Sequence, residues 1–312
     1  MGTQRIDLLI SKVRRETANE DYGPNSGISD TQIVSYFNDA LHLLEREINN
    51  THASQFKKEA FIDLVANQEK YDLPDDYLAS GGVVSVEYAF GDPASTNPDW
   101  QPLRRITDLE RSRGTSGEIP SAFQVVNRQL WIKSIPSVAK ADGLRVVYIK
   151  ALSRFDVRRG KIDVITLNTG NRTITDLEVV LSTVTDPNEY NLNEACCVVN
   201  ADGVIQMKNI KLDGSLNTSL GDVPVRSDFV YESGETIAAN NYIVFGKNAS
   251  THQLDLDESV ESFLTAYVAY KIMTQDSNTE AGEKASEFTN IAKSIMSAYA
   301  RSNEDIVLIP EI

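Results

Sequence analysis

Residues 117–136 read GEIPSAFQVVNRQLWIKSIP, and the reading of this stretch decides how the middle of the chain is built. Gly117 and Pro120 open it, Pro136 closes it, and Asn127-Arg128 splits two short apolar runs. Strand alternation puts Phe123 with Val125 on one face; Leu130 and Ile132 share a face, with Trp131 on the other. Two period-two runs around a two-residue reversal describe a β-hairpin. The large aromatic on the second face is either part of a second core or an anchor for another subunit. Nothing in the stretch is catalytic; its marked residues fix geometry.

Moving outward, the same period continues. Ala60, Ile62 and Leu64 alternate with Phe61, Asp63 and Val65, and residues 83–90 and 144–149 read as further strands. YDLPDDYL (71–78) is extended and then turns, because Pro74 disfavours helix at the residue before it. Residues 106–113 read as a short helix capped by Thr107 or Asp108. Helices lie at both ends. Residues 4–15 carry Ile6, Leu9, Ile10 and Val13 on one helical face. Ser29 with Gln32 forms a capping box ahead of a stripe of Ile33, Phe37, Ala40, Leu41, Leu44 and Ile48. Near the C-terminus, Asp255 with Glu258 and Ser277 with Glu280 cap two more helices, an αα-hairpin. Between lie strands over 162–167, 173–182, 195–200, 204–212, 229–232 and 241–245, with Asp202-Gly203 as the strongest hairpin signal. The expectation is an α+β chain: a discontinuous helical bundle with attached β-strands (1–157 and 254–312), an inserted all-β domain, sandwich or barrel-like (158–253), and an extended tail (302–312).

Composition excludes several classes. The chain has 312 residues, 41% hydrophobic and 24% charged, and a net charge of −15. That charge repels phosphates and argues against a nucleic-acid reader. No apolar run can span a bilayer, and the N-terminus is too charged for a signal peptide, so a protein made in the cytoplasm without a membrane partner is expected. HExxH, GxSxG and GxxxxGK[ST] are absent from the sequence. No catalytic, cofactor-binding or metal-binding residue is assigned and no cofactor is expected. His42, His52 and His252 are read as helix-boundary or surface residues. Cys196 and Cys197 are read as small buried hydrophobes pointing to opposite faces of a strand. Asp75-Asp76 and Asp255-x-Asp257 are read as caps rather than cation ligands. Two basic clusters stand out: Arg154, Arg158, Arg159 and Lys161, and Arg104, Arg105, Arg111 and Arg113. Each is either a partner surface, including contact with passing DNA, or a solvated face paired with local acids.

The order of patterns carries a family resemblance. A helix and a strand lead to Tyr71-x-Leu73-Pro74-x-x-Tyr77-Leu78, then Trp100-x-Pro102-Leu103 and a short helix. Gly117-x-x-Pro120-x-x-Phe123, Leu130-x-Ile132, Pro136 and Leu144-x-Val146-x-Tyr148 follow. Over residues 25–155, and more loosely in the C-terminal helix pair, this resembles the tailed-bacteriophage head-to-tail adaptor (connector) proteins of podovirus-like tails. The resemblance implies a non-enzymatic virion protein of the tail neck. It implies a homo-oligomer, commonly a dodecameric ring, beneath the portal protein, extending the DNA channel without sequence-specific binding and offering a platform to tail nozzle or fibre proteins. The tail residues Ile306, Val307, Leu308 and Ile309 would then reach the portal. Burying four such side chains is worth roughly 6–10 kcal/mol gross, much of it offset by ordering the segment. Trp131, Arg154, Arg158, Arg159 and Lys161 would serve a subunit or tail interface. The block 158–253 departs from the compact family pattern and would dock fibres or glycans, the second functional reading.

Overall fold

The computed structural model describes residues 4–17, 28–52, 56–78, 82–96, 98–112, 119–232, 235, 237–253, 256, 260–275 and 281–304. In chain order the first elements are β1 (Gln4–Arg5), α1 (Ile6–Glu16), α2 (Asp30–His52), β2 (Lys57–Leu64), β3 (Lys70–Asp72) and β4 (Val83–Ala89). Then come β5 (Trp100–Pro102), β6 (Arg104–Arg105), α3 (Asp108–Ser112), β7 (Ala122–Val126), β8 (Gln129–Lys133) and β9 (Lys140–Ile149). β10 (Arg154–Phe155), β11 (Gly160–Asn168), β12 (Thr173–Val180), α4 (Glu189–Leu192), β13 (Ala195–Val199) and β14 (Ile205–Lys211) follow. The last are β15 (Tyr242–Phe245), β16 (Ala249–Ser250), β17 (His252–Gln253), α5 (Val260–Gln275) and α6 (Ala281–Glu304). The protein is mixed α+β. It divides into two compact units, one of residues 49–151 and one of residues 1–48 with 152–312.

The first unit holds the hairpin. β7 and β8 pair antiparallel from Ala122 opposite Lys133 to Val126 opposite Gln129. Asn127 and Arg128 turn at φ 50° and 64°, the double left-handed turn that matches the twist of a two-residue hairpin. β3 and β6 flank it, giving the order β3-β8-β7-β6, and a second sheet runs β2-β9-β4-β5. Both sheets contribute to one core, where Phe123, Leu130 and Ile132 meet Val86, Leu144, Val146 and Tyr148. The stretch before Leu103 supplies the edge strand β5, ending at Pro102, a place where proline is tolerated. Asp76 is no cap: it is buried, accepting the Tyr148 hydroxyl at 2.6 Å and pairing with Lys58 at 2.7 Å.

The second unit holds the long helices and a five-stranded antiparallel sheet, β12-β11-β15-β13-β14. Ser29 caps α2, its hydroxyl accepting the Gln32 amide at 3.2 Å, while the Gln32 side chain turns to Tyr36 instead of completing the box. The whole stripe from Ile33 to Ile48 is buried. α1 packs on α5, and Lys12 meets Glu261 at 2.9 Å. α5 is buried on more than one stripe: Thr265, Ala266, Ala269 and Met273 are buried with Val260, Phe263, Leu264, Tyr267, Val268 and Ile272. The caps Asp255 with Glu258 and Ser277 with Glu280, and Asp257, lie outside the described residues.

Among the described residues, β11 to β15 of the stretch 158–253 form one five-stranded sheet where a sandwich or barrel was expected; the two sheets that share a core lie in 49–151. Every residue of β13 is buried, Cys196 in the cluster on one face and Cys197 in that on the other. Asp202-Gly203 does turn β13 into β14, with Asn200 Oδ1 accepting the Asp202 and Val204 amides. Gly203 has φ +76°, and a Cβ there would lie 2.0 Å from His252 Nδ1. The strand expected over 229–232 does not form. Phe229 and Tyr231 fill the sheet's core from irregular backbone instead.

Candidate functional site: the arginine-bearing segment 152–161

This segment lies wholly within the second unit and runs beside α2. Glu45, almost fully buried, receives the Leu152 amide at 2.6 Å and the Arg154 guanidinium at 2.7 Å. Two turns earlier, Asn38 brackets Phe155, donating to its carbonyl at 3.0 Å and accepting its amide at 2.8 Å. Phe155 also meets Phe37 edge-on at 6.0 Å. A short parallel ladder, Arg154 opposite Ala249 and Phe155 opposite Ser250, fixes the other side.

Arg159 is turned inward. Its guanidinium grips Asp156 through Nε and Nη2 and reaches Glu189 through Nη1 at 2.6 Å. Burial works against its charge, but Asp156 and Glu189 outweigh that and raise its pKa above the ordinary value. Asp156 also accepts the Phe245 amide at 2.7 Å, tying the segment to β15. Arg158 points elsewhere. It lies over the Tyr242 ring at 4.0 Å and donates to the Ala201 carbonyl at 2.8 Å. Lys161 is the second residue of β11, opposite Tyr242 and Val180, its amide bonded to Thr183 Oγ1. Four basic residues close in sequence thus have four different environments. Their carboxylate partners Glu45 and Glu189 come from distant elements, and no spacing pattern could have pointed to them.

The other expected residues are placed as follows. Trp131 stands on the face of β8 away from Leu130 and Ile132, half-buried, with Lys70 Nζ 4.2 Å above its ring. Arg104 pairs with Glu110 at 2.7 Å, and Arg105 is exposed. Arg113 and the tail residues Ile306, Val307, Leu308 and Ile309 lie outside the described residues, as do the side chains of Arg111 and His52. His42 is exposed on α2. His252, expected near a helix boundary or at the surface, is buried instead, its ring packed against Gly203.

Among the described residues one group of carboxylates could hold a cation: Asp176, Glu178 and Asp222, with ligand atoms within 4.8 Å of one another. Partial burial and the neighbouring Asp176, Asp222 and Asp163 raise the Glu178 pKa above the usual carboxylate value. The two cysteines are closed to thiolate chemistry, since burial raises both pKa values, that of Cys197 to about 11. What the segment does chemically is hold position: it clamps α2 and β15 with charge-assisted hydrogen bonds and β16 with a backbone ladder.

Compared with known sequence families, the chain matches the model described as SU10 adaptor protein over residues 5–160. The matched stretch is half of the chain and takes in α1, α2, the whole unit 49–151 and the arginine segment as far as Gly160. No curated protein matches the chain.

Proposed function

The chain belongs to the SU10 adaptor protein family, a structural phage head-to-tail adaptor family of the virion tail neck, and from that premise we propose that it forms a dodecameric ring beneath the portal of a podovirus-like tail. The ring extends the DNA channel and presents a platform to nozzle or fibre proteins. DNA passes through it without sequence-specific binding, in keeping with a net charge of −15. Trp131, Arg158 and Lys161 are the side chains best suited to an interface, since Arg154 and Arg159 are bound to Glu45, Asp156 and Glu189 of their own chain. Ile306–Ile309 supply an apolar tail that docks on the portal. The observation that carries this reading is the match over 5–160, which includes the hairpin that fixes subunit geometry.

Native mass spectrometry of the protein alone and mixed with its portal tests it. A mass of twelve copies, alone or on the portal, is expected; monomer in both samples overturns the ring. Removing residues 302–312 should abolish portal binding and keep the far-ultraviolet spectrum, and unimpaired assembly of the truncated protein would sink the tail's role.

A second reading, that 158–253 docks a tail fibre or glycan, is favoured by one feature. β11 pairs with β15 only at Gly160 and Lys161, yet pairs with β12 as far as Asn168 opposite Thr173. β12 gains one further bridge, Glu178 opposite Asp222, so among the described residues the distal part of that hairpin, 163–176, has no neighbour beyond itself in the β-ladder. Fibre pulldown with the full chain and with residues 168–173 replaced by a short turn distinguishes the readings, and equal capture by both removes this one.

A further inference from the structure

A cavity of about 200 Å³ lies within the unit of long helices, lined by Arg5, Asp7, Val157, Arg158, Thr251 and His252 among others. Three separate stretches meet there. β1 and β17 pair antiparallel and set Arg5 opposite His252. The Asp156 amide, bonded to the Ser250 carbonyl at 3.0 Å, brings Arg158 alongside. No sequence spacing links these residues.

The charges do not cancel. Arg5 is matched by Asp7 through a two-pronged pair. Arg158 has no carboxylate within ion-pair distance among the described residues, although acids outnumber bases 45 to 30 in the chain. Stacking on Tyr242 and the bond to Ala201 hold its guanidinium in one orientation, which leaves further donors of its planar fork for a ligand. His252 is buried, with Nδ1 within 2.8 Å of the Thr251 hydroxyl. No described residue hydrogen-bonds its other ring nitrogen. Burial, then Arg5 and Arg158, lower its pKa, while Asp7 and Asp202 act weakly the other way. The first turn of α1 also opens on this place. Its N-cap residue Arg5 offers no side-chain cap, and the Ile6 amide alone is taken up by Thr251. The Asp7 and Leu8 amides have no intrahelical acceptor.

We propose that this cavity binds a single oxyanion, held between the Arg158 guanidinium and the His252 ring. The shared chemistry is that of a phosphate or carboxylate group, whose source is either a phosphate ion or an acidic side chain of a neighbouring chain. The inference stands on the cavity's own residues and holds whether or not the protein forms a ring.

The chain has three histidines, so their ring Hε1 protons give three NMR signals, and His42→Gln and His52→Gln identify that of His252. Its titration midpoint is followed in sodium chloride, phosphate and acetate at equal ionic strength. A bound anion favours imidazolium and should raise the midpoint by about one pH unit over chloride. Arg158→Gln should remove the rise. If that variant fails to fold, Arg158→Lys, which keeps the charge without the fork, should show a smaller rise. One midpoint in all three salts, or a rise that survives Arg158→Gln, overturns the proposal. A rise in acetate equal to that in phosphate supports a carboxylate source, and a rise in phosphate alone supports a phosphate ion.

Discussion

Arg128 and Glu235 are residues whose surroundings oppose their own chemistry. Arg128 sits at φ 64°, where a Cβ crowds the backbone and glycine does not. Its compensation is slight, a 3.5 Å bond to the Tyr77 carbonyl and a guanidinium 6.0 Å from that ring. Arg128→Gly should therefore stabilise the protein by about 0.5–1 kcal/mol, seen as a higher urea midpoint at unchanged slope. A lower midpoint would mean that the Tyr77 contacts outweigh the strain. Glu235 is a carboxylate pushed up to about 7, chiefly by burial and further by Glu232, even though its oxygens accept the Lys208 and Glu232 amides. Between its unfolded value near 4.5 and about 7 the folded state holds a proton that the unfolded state has lost. Stability should then fall as pH rises through that window and level off above it. Melting curves from pH 5 to 8 should show this slope in the parent and lose most of it in Glu235→Gln. An unchanged slope would place the titration elsewhere.

The helix α2 shows what its sequence made legible. A hydroxyl at Ser29, a polar position three residues on and an apolar stripe at helical spacing are local signals, and a helix start needs little else. Ser29→Ala should cost about 1 kcal/mol in chemical denaturation, while Gln32→Ala should cost far less, because the Gln32 side chain reaches Tyr36 and not the cap. Equal losses would restore the reciprocal box. The hairpin β7–β8 was legible for the same reason: alternation and a two-residue reversal are properties of consecutive residues. Four things were hidden. The grouping of strands into two sheets over 49–151 depends on which strands pair at long range, as β2 does with β9 from Lys57 opposite Ile149 to Leu64 opposite Lys140. The loss of the strand expected at 229–232 follows from core filling, which apolar periodicity cannot tell from strand pairing. The arginine segment read as a surface cluster because its acceptors, Glu45 from α2 and Glu189 from α4, arrive through the fold. His252 was missed likewise, since its burial is made by Gly203 and the antiparallel match to Arg5.

For the whole molecule the governing number is a net charge of −15 on 312 residues, because an adaptor must bring many copies of that charge together. Ion pairs between copies are a poor means of doing so. Many cations are already engaged within the chain: Arg14 with Asp30, Arg104 with Glu110, Arg145 with Glu87, Arg154 with Glu45, Arg159 with Asp156 and Glu189, and Arg226 with Asp228. In the ring proposed above, contacts between copies would then rest mainly on apolar and stacked surface, for which Trp131 is the proposed side chain, working against a like-charge repulsion that acts at long range. Screening separates the two terms. Raising sodium chloride from about 0.01 M to about 0.15 M shortens the Debye length from about 30 Å to about 8 Å and leaves apolar contacts nearly untouched. Sedimentation velocity at fixed protein concentration should accordingly show the assembled fraction rising with salt over that range, and Trp131→Ala should lower it at every salt concentration without altering the trend. Assembly that weakens as salt is added would mean that pairs between copies dominate, and would shift the interface to the arginine-bearing clusters instead.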